Sequence, residues 1–541
     1  MEGLDWTVLV VYLLAMVLLS VWLSRGQEST EDYYVGGRNL PWWAVGISTM
    51  ATQTSANSFI GIPAYVALKE GGGLTWLQYE LAVPLAMIVV MVLLIPFFRD
   101  LKLVSVYEYL EQRFDRRTRL VMSGVFLVSR GLATGVGVYA SAAVLTVCLG
   151  LPVWQCILLI GIVTVIYDTL GGMAAVVWSD VIQMVVLLGG LVLCVWLAAD
   201  AVGGMGHAIA AHDPSRLQGI GSGTGLADGA DAPLWGFLIG GFVLYVSYYG
   251  VDQSQAQREL SAPTTADTKR SLVFNGLARF PMTVLYMLLG LTVGAAYLES
   301  PELQAAVPST SLDQMVPQFI LMELPAGVKG VLFAAILAAA MSSLDSGLNS
   351  LSAATMRDFI EPFFPVHADE KVAQKQMLKR SRITTVGWGI GMTAAAFLFE
   401  GLSDTVVEGI NKLGSVFYGP ILAAFLTGLL DRRSRGTAML LGVFIGVAVN
   451  IGLWQGLGDT IFWMWWNVTG LVVGIAVTMI GSRMMAAPDP AKLEHTTIAL
   501  SSIPAREKGW MGMYGALVAY FVFIYIIADQ APALFGWIGS H

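Results

Sequence analysis

Oxygen-bearing side chains occur inside apolar stretches of the chain, at positions from which they could surround a cation. Ser342 and Ser343 carry hydroxyls on one stretch, and Thr54 carries another on a distant one. Ala51 and Ala339 could add only main-chain carbonyls, which requires a distorted backbone nearby. Hard cations prefer several oxygen ligands, and we extend that rule to sodium. These five residues therefore form a candidate sodium site.

Two acidic residues within apolar stretches indicate a second cation site. Asp345 and Ser346 follow Ser342 by three and four residues, so the three share one face of a helix. Asp180 stands early in another apolar stretch, and ionisable groups inside a span are functional candidates. Asp180, Ser342, Asp345 and Ser346 could thus hold a second cation. The alternatives are a helix-start acid stabilised by the helix dipole at Asp180 and a salt-bridged or hydrogen-bonded structural acid at Asp345.

The elements that must position these residues are membrane-spanning helices. Of the 541 residues, 56% are hydrophobic and 13% are charged, whereas soluble domains contain about 25% charged residues. About fourteen runs reach the roughly 20 apolar residues that a spanning helix needs. We number these spans 0 to 13, at residues 5–24, 42–67, 75–98, 119–148, 152–171, 174–199, 234–253, 272–297, 328–355, 383–400, 404–430, 436–456, 460–482 and 510–530. The sequence predicts an all-α integral membrane protein, with residues 1–541 as one transmembrane domain.

Charge distribution predicts the orientation of the spans. Most of the 30 lysine and arginine residues fall in segments that alternate spans would place on one side, and basic loops stay in the cytoplasm. Both termini are then expected outside the cell. The expected location of this multi-pass protein is the plasma membrane, which in a bacterium is the inner membrane. Its partners are expected to be a small-molecule solute and the lipid bilayer. No nucleic-acid patch stands out, and no obligatory protein partner is inferred.

Three spans contain polar clusters that favour an irregular backbone. The clusters occupy residues 48–58 in span 1, 247–253 in span 6 and 339–347 in span 8. Irregular backbone at membrane depth must line a cavity or lie within protein. Transporters built from inverted five-helix repeats break the first helix of each repeat. Spans 1 and 6 are five apart, which predicts repeats at residues 42–199 and 234–430, one helix before them and peripheral helices at 436–530. Close packing through small residues is the alternative for each cluster.

Several strings resemble those of the sodium/solute symporter family. They are Ala-x-x-x-Ser-Ala-x-x-Phe-x-Gly at residues 51–61, Val-Tyr-Glu-Tyr-Leu-Glu-Gln-Arg-Phe-Asp at 106–115, Gly-Gly-Met-Ala-Ala-Val-Val-Trp-Ser-Asp-Val-Ile-Gln at 171–183, the pairs Asp252-Gln253 and Gln257-Arg258, and Gly-Ser-Val-Phe-Tyr-Gly-Pro at 414–420. The resemblance reaches from span 0 to span 10. It implies a fold of the leucine-transporter type and sodium-driven symport of a small polar organic solute by alternating access. An enzyme is not expected, and the sodium ion is the expected cofactor.

The resemblance also implies roles for individual residues. The sodium site shared across the family would comprise Ala51, Thr54, Ala339, Ser342 and Ser343. A subset of the family, which includes bacterial sialic acid transporters, has a second sodium site that would comprise Asp180, Ser342, Asp345 and Ser346. Those transporters have serine where this chain has Asp345. A second acid could tighten the site or admit a proton, so the number of coupled ions stays open.

The solute site follows from the same resemblance. The implied solute contacts are Ser55, Asn57, Ser58, Gln78, Arg130, Tyr248 and Arg279, with Tyr248 also the inner gate. Arg130 lies nearly one turn from the arginine of the sialic acid transporters, so it could instead snorkel or form a structural pair. Arginine binds planar carboxylates well, which favours a solute such as sialic acid or a monocarboxylate. A sodium–sugar symporter and a proton-coupled carrier of the same fold are the alternatives; a channel or a membrane enzyme is disfavoured.

Overall fold

The computed structural model describes residues 1–309, 311–364, 367, 369–399, 406–458 and 460–540, with side chains from residue 412 onward in the helix that begins at Val406. The predicted limits of spans 9 and 10 at residues 400 and 404 lie outside the described residues. The described chain is helical and contains no strand, only an isolated bridge between Leu226 and Ile461.

The helices fall into two successive groups. The first comprises α1 (Gly3–Leu23), α2 (Thr30–Val35), α3 (Trp42–Ala51), α4 (Ala56–Ala67), α5 (Gln78–Leu81), α6 (Val83–Val89), α7 (Ile95–Asp100), α8 (Tyr107–Arg113), α9 (Arg116–Leu149), α10 (Val153–Ala201) and α11 (Met205–Ala210). The second comprises α12 (Gly241–Val251), α13 (Gln253–Glu259), α14 (Thr265–Glu299), α15 (Pro301–Ala306), α16 (Met315–Glu323), α17 (Val328–Ala354), α18 (Glu370–Ala396), α19 (Val406–Leu430), α20 (Gly436–Leu457), α21 (Trp465–Arg483), α22 (Pro490–Leu493), α23 (Ile503–Glu507), α24 (Met511–Asp529) and α25 (Ala531–Gly539).

Ten helices of the described chain are long and apolar enough to cross a membrane. One of them, α10, covers predicted spans 4 and 5 and bends where Gly172 leaves helical geometry. Predicted spans 1 and 6 lie on shorter, interrupted helices. Predicted span 9 lies on α18, whose first half carries many charges. These differences account for the gap between ten long helices and the fourteen predicted spans.

The polar cluster of span 1 breaks the helix, as predicted. The α3 helix ends at Ala51, and α4 begins at Ala56 after an extended Ser55 (φ −106°, ψ 167°). Between them the hydroxyl of Thr52 donates to the carbonyl of Ser48. Threonine and serine hydroxyls compete with main-chain groups for hydrogen bonds in this way and weaken a helix interior. The break leaves the main-chain oxygens of Ala51 and Thr54 facing Ser342 of α17.

Span 6 breaks as predicted, but span 8 does not. Asp252 separates α12 from α13 with extended geometry (φ −74°, ψ 125°), and its carboxylate accepts the main-chain N–H of Ser254. By contrast, α17 runs unbroken through residues 339–347. Its alanines are strong helix formers, and the hydroxyl of Ser346 donates to the carbonyl four residues earlier. The polar cluster of span 8 therefore lies on an intact helix.

The candidate site lies where the broken helices meet the longest ones. The α17 helix packs against α10 and α9 and also contacts α3, α4 and α13, while α14 packs against both halves of the broken span 1. Residues 333–342 and 344–354 of α17 are buried throughout. This position gives α17 one face toward the break in span 1 and another toward α10.

Candidate functional site

The five residues of the first candidate sodium site converge at the break between α3 and α4. The hydroxyl oxygen of Ser342 lies 3.5 Å from the carbonyl oxygens of both Ala51 and Thr54, and 3.2 Å from that of Ala339. The hydroxyl of Ser343 lies 3.3 Å from the same Ala339 carbonyl. Three carbonyl oxygens thus lie around the Ser342 hydroxyl, and the Ser343 hydroxyl contacts one of them. An all-oxygen set of this kind fits a hard cation.

Thr54 contributes to this cluster through a different atom from the one expected. The sequence suggested its hydroxyl as a ligand, but that hydroxyl donates to the Met50 carbonyl at 3.1 Å and also contacts the Met282 sulfur at 3.5 Å. The Thr54 carbonyl faces Ser342 instead. The cause is local: where α3 ends, a threonine hydroxyl can satisfy the carbonyl four residues earlier.

This difference predicts that Thr54 and Ser342 respond unequally to loss of their hydroxyls. Thr54→Val keeps the branched shape and the carbonyl, so we expect sodium affinity within about twofold of wild type. Ser342→Ala removes a ligand oxygen, and we expect about a tenfold loss of affinity, since one hydrogen-bond-sized contact is worth about 1.4 kcal/mol. Sodium titration of thermal unfolding measures both variants. Equal losses would show that the Thr54 hydroxyl is a ligand after all.

The acids of the second candidate site surround a buried arginine. The nearest Arg258 nitrogen lies 3.6 Å from an Asp180 carboxylate oxygen and 3.9 Å from one of Asp345. The side chain of Arg258 is 1% exposed. Beyond the break at Asp252 the chain continues as α13, whose residues 253–259 are all buried, so Arg258 lies within the protein.

Hydrogen bonds connect Arg258 through Ser346 to Ser342 of the first candidate sodium site. Arg258 donates to the Ser346 hydroxyl at 2.5 Å, and Ser346 donates to the Ser342 carbonyl at 2.6 Å. Tyr167 donates to Asp345 at 2.6 Å. One carboxylate oxygen of Asp180 accepts from Ser48 at 2.5 Å, whereas the other is buried and has no hydrogen-bond partner in the described structure.

A third carboxylate, Asp168, lies in the same region and was not predicted. It is fully buried, and Asn349 is its hydrogen-bond partner at 3.4 Å; one oxygen has no partner in the part of the chain that the structure describes. Asp180 and Asp345 form ion pairs with Arg258, whereas Asp168 forms none within the described residues. Buried charges require compensation, and Arg258 supplies one positive charge to this cluster.

A cavity of approximately 210 Å³ lies beside the first candidate sodium site, with Ser343 in its wall. Six of the predicted solute contacts line it: Ser55, Asn57, Ser58, Arg130, Tyr248 and Arg279. Gln78 does not line it, which corrects that prediction. Its amide nitrogen instead donates to the carbonyls of Thr75 and Ala232. The same turn presents Tyr79 and Glu80 to the cavity.

Glu80 forms the tightest ion pair of the cavity wall. Its carboxylate accepts from Arg279 at 2.5 Å and 3.2 Å, one nitrogen to each oxygen. The hydroxyls of Thr283 and Tyr245 lie 3.3 Å and 3.4 Å from the same carboxylate. Two parallel charged hydrogen bonds of this kind are strong and directional. The charge of Arg279 is thus balanced within the protein.

Aromatic rings close the cavity on the side of α12. Tyr248 packs edge-on against Tyr418, with ring centroids 5.8 Å apart, and the Arg130 guanidinium lies 5.9 Å from the Tyr248 ring. Arg130 also faces Asp252 at 3.8 Å. Beyond this layer lies a pocket of about 40 Å³ that Arg130 and Tyr418 also line. The layer therefore separates two cavities on one path.

A second aromatic layer closes the opposite side. Trp76 stacks on Tyr79 with centroids 5.4 Å apart, and Phe237 packs against both rings. Trp76 and Phe237 also line an outer cavity of about 360 Å³. Aromatic rings thus line the central cavity both at α12 and at residues 76–79.

Comparisons with known proteins agree with this geometry. A sequence model of the sodium:solute symporter family matches residues 33–446. The sodium/iodide cotransporter of Homo sapiens is 31% identical over 470 residues, 85% of this chain and 70% of that protein. The sodium/sialic acid symporter NanT of Aliivibrio fischeri is 29% identical over 489 residues, 89% of this chain and 93% of that protein. A solved structure, described as the substrate-bound outward-open state of a Na+-coupled sialic acid symporter with a novel Na+ site, is 27% identical. It covers 90% of this chain and 99% of its own, with a TM-score of 0.79.

Proposed function

The chain belongs to the sodium:solute symporter family, and we propose that this sodium-coupled, multi-pass symporter carries a small organic solute bearing a carboxylate and hydroxyl groups. It is a transporter and not an enzyme. Relatives are named for sialic acid, monocarboxylates and iodide. We further propose a bacterial inner membrane as its location, with both termini outside, because most basic residues then face the cytoplasm.

Arg130 carries the proposal of a carboxylate. Its Nε is buried and has no hydrogen-bond partner in the described structure, and its one ion pair, with Asp252, is long at 3.8 Å. A guanidinium has five donors that match a planar carboxylate. Arg130 therefore keeps hydrogen-bonding capacity at the cavity wall, while Arg279 is already paired with Glu80.

The remaining cavity wall suits hydroxyl groups. Ser55, Asn57 and Ser58 line one side, and the Glu80–Arg279 pair lines another. Each of these groups can form a hydrogen bond with a hydroxyl without a change in net charge. The serine hydroxyls and the asparagine amide can donate or accept, and the Glu80–Arg279 pair offers the N–H and oxygen positions that it does not use internally. A hydroxylated carboxylate would pair its carboxylate with Arg130 and its hydroxyls with the polar part of the wall. A purely apolar acid would leave those polar groups unpaired.

We also propose two sodium positions. The first is the cluster of Ala51, Thr54, Ala339, Ser342 and Ser343 described above. The second is the region of Asp180, Ser342, Asp345 and Ser346, where buried carboxylates outnumber the arginine and Asp180 keeps an unpartnered oxygen. Sodium and solute affinities must then be coupled reciprocally, since Ser343 lines both the cavity and the first site.

Uptake into proteoliposomes tests the solute class. We expect an inward sodium gradient to drive accumulation of a hydroxylated carboxylate from a panel of sugar acids, hydroxy monocarboxylates and neutral sugars. Arg130→Gln should raise KM at least tenfold, because one charged hydrogen bond is lost, while Arg130→Lys should recover part of the loss. Uptake of neutral sugars alone would contradict the carboxylate proposal, and uptake driven only by a pH gradient would contradict the sodium sites.

Tyr248 is proposed as the inner gate, on the strength of its contacts with Tyr418 and Arg130. Tyr248→Phe keeps the ring and should leave sodium-driven uptake within about threefold of wild type. Tyr248→Ala opens the aromatic layer, and we expect downhill solute efflux without sodium to rise. Efflux from preloaded proteoliposomes in choline buffer measures this. Unchanged efflux in the alanine variant would show that another group closes the path.

A further inference from the structure

A basic groove lies between α10 and α18, away from the sodium and solute sites. It encloses about 460 Å³ and is lined by Thr169, Lys375, Leu378, Lys379, Arg382, Ile383 and Val386. Three cations and three aliphatic side chains thus face one space. We propose that the basic groove binds the phosphate headgroup of an anionic phospholipid, whose acyl chains lie against α18.

One face of α18 indicates how deep the groove lies relative to the membrane. Lys375, Lys379 and Ile383 follow each other at four-residue intervals, and Ile390 continues the same face. Ile383 is 61% exposed and Ile390 is 64% exposed, as lipid-facing side chains would be. Four residues of helix rise about 6 Å. The lysines therefore lie one and two turns beyond the apolar stretch, at headgroup level.

The groove offers donors that the protein does not itself use. Lys375 and Lys379 are exposed, and neither forms an ion pair within the described residues. The Arg382 Nε and the Thr169 hydroxyl oxygen are buried without hydrogen-bond partners there. Basic pockets between helices at the cytoplasmic surface suit anionic headgroups. A phosphodiester supplies the acceptors that these four groups lack.

Arg382 connects the groove to the bend of α10. It donates to the Gln27 side-chain oxygen at 3.3 Å, and the Gln27 amide donates in turn to the Gly171 carbonyl. The next residue, Gly172, has φ +54°, and a Cβ there would lie 2.5 Å from the Tyr33 carbonyl oxygen. A headgroup held by Arg382 would therefore stabilise the bent form of α10.

Binding of phosphatidylglycerol to the full-length protein in neutral detergent tests the proposal, with native mass spectrometry as the readout. We expect wild type to bind phosphatidylglycerol in preference to phosphatidylcholine. Lys375→Gln/Lys379→Gln should weaken binding about 25-fold, since each basic residue is worth about fivefold at a membrane surface. Arg432→Gln/Arg433→Gln, two exposed arginines elsewhere on the same predicted side, is the matched control and should bind as wild type does.

Three outcomes would overturn the proposal. They are unchanged binding in the lysine variant, equal weakening in the arginine control, and displacement of the lipid by inorganic phosphate alone, which would make the ligand a free anion. A thermal-unfolding scan of each variant without added lipid shows whether it is folded. The Lys375→Gln/Lys379→Gln variant should unfold at the wild-type temperature, because neither lysine has an ion-pair partner to lose among the described residues.

Discussion

Glu80→Gln is expected to destabilise the protein by about 3–5 kcal/mol and to abolish solute uptake. The substitution keeps the shape of the side chain but leaves the Arg279 guanidinium buried without a counter-charge, and breaking one partner of a buried pair has this cost. The loss should appear as a lower midpoint of thermal unfolding in detergent, with and without sodium. Arg270→Gln is the matched control, because this arginine is 57% exposed and its pair with Asp267 is worth less than about 1 kcal/mol.

The double variant Glu80→Gln/Arg279→Met separates folding from transport. Replacing both members of a buried pair by uncharged side chains is often neutral for stability, so the midpoint should return toward wild type. Solute uptake should stay absent, because the polar wall that receives the solute is gone. If the double variant transports normally, the Glu80–Arg279 pair does not contribute to solute binding. If Glu80→Gln alone is as stable as wild type, Glu80 does not stabilise the fold by balancing the charge of Arg279.

The broken helices and the oxygen cluster could be predicted because their causes are local. Residues 48–58 place polar side chains where a spanning helix would otherwise bury apolar ones, and Asp252 follows a similar run. Such residues favour caps and turns over helix interiors. The same reasoning wrongly predicted a break in span 8, because the alanines around Ser342 are strong helix formers and that helix stays intact. Polar composition alone does not distinguish a broken helix from an intact helix with one polar face.

The residues that sequence reasoning missed depend on helix phase and on tertiary context. A 3₁₀ turn at Leu74–Leu77 precedes α5 and shifts its phase, so that Glu80 rather than Gln78 meets the cavity. Glu80 nevertheless carried a signal, since an acid inside a span is a functional candidate. Arg258 carried no such signal, because it follows the end of predicted span 6 at residue 253. Its burial depends on the direction that α13 takes after Asp252.

Arg258→Met is expected to make the stability of the protein depend strongly on sodium. Methionine has a similar length but no charge, so Asp180 and Asp345 lose the guanidinium that lies 3.6 Å and 3.9 Å away. We expect about 3–5 kcal/mol of destabilisation in choline chloride. A cation that binds the folded state restores stability in proportion to its occupancy, so sodium chloride should raise the unfolding midpoint of the variant more than that of wild type.

Two further variants make this result interpretable. Arg258→Lys keeps the positive charge and should show a sodium response close to that of wild type, even if its stability falls. Arg483→Met removes an arginine that is 44% exposed and 3.4 Å from Asp431, and it should change stability by less than about 1 kcal/mol. If sodium raises the midpoints of Arg258→Met and wild type equally, the carboxylates do not hold a second sodium, although Arg258 still balances their charge. If Arg258→Met is as stable as wild type in choline chloride, the carboxylates are neutral in the folded protein and the charge argument for a second sodium fails with them.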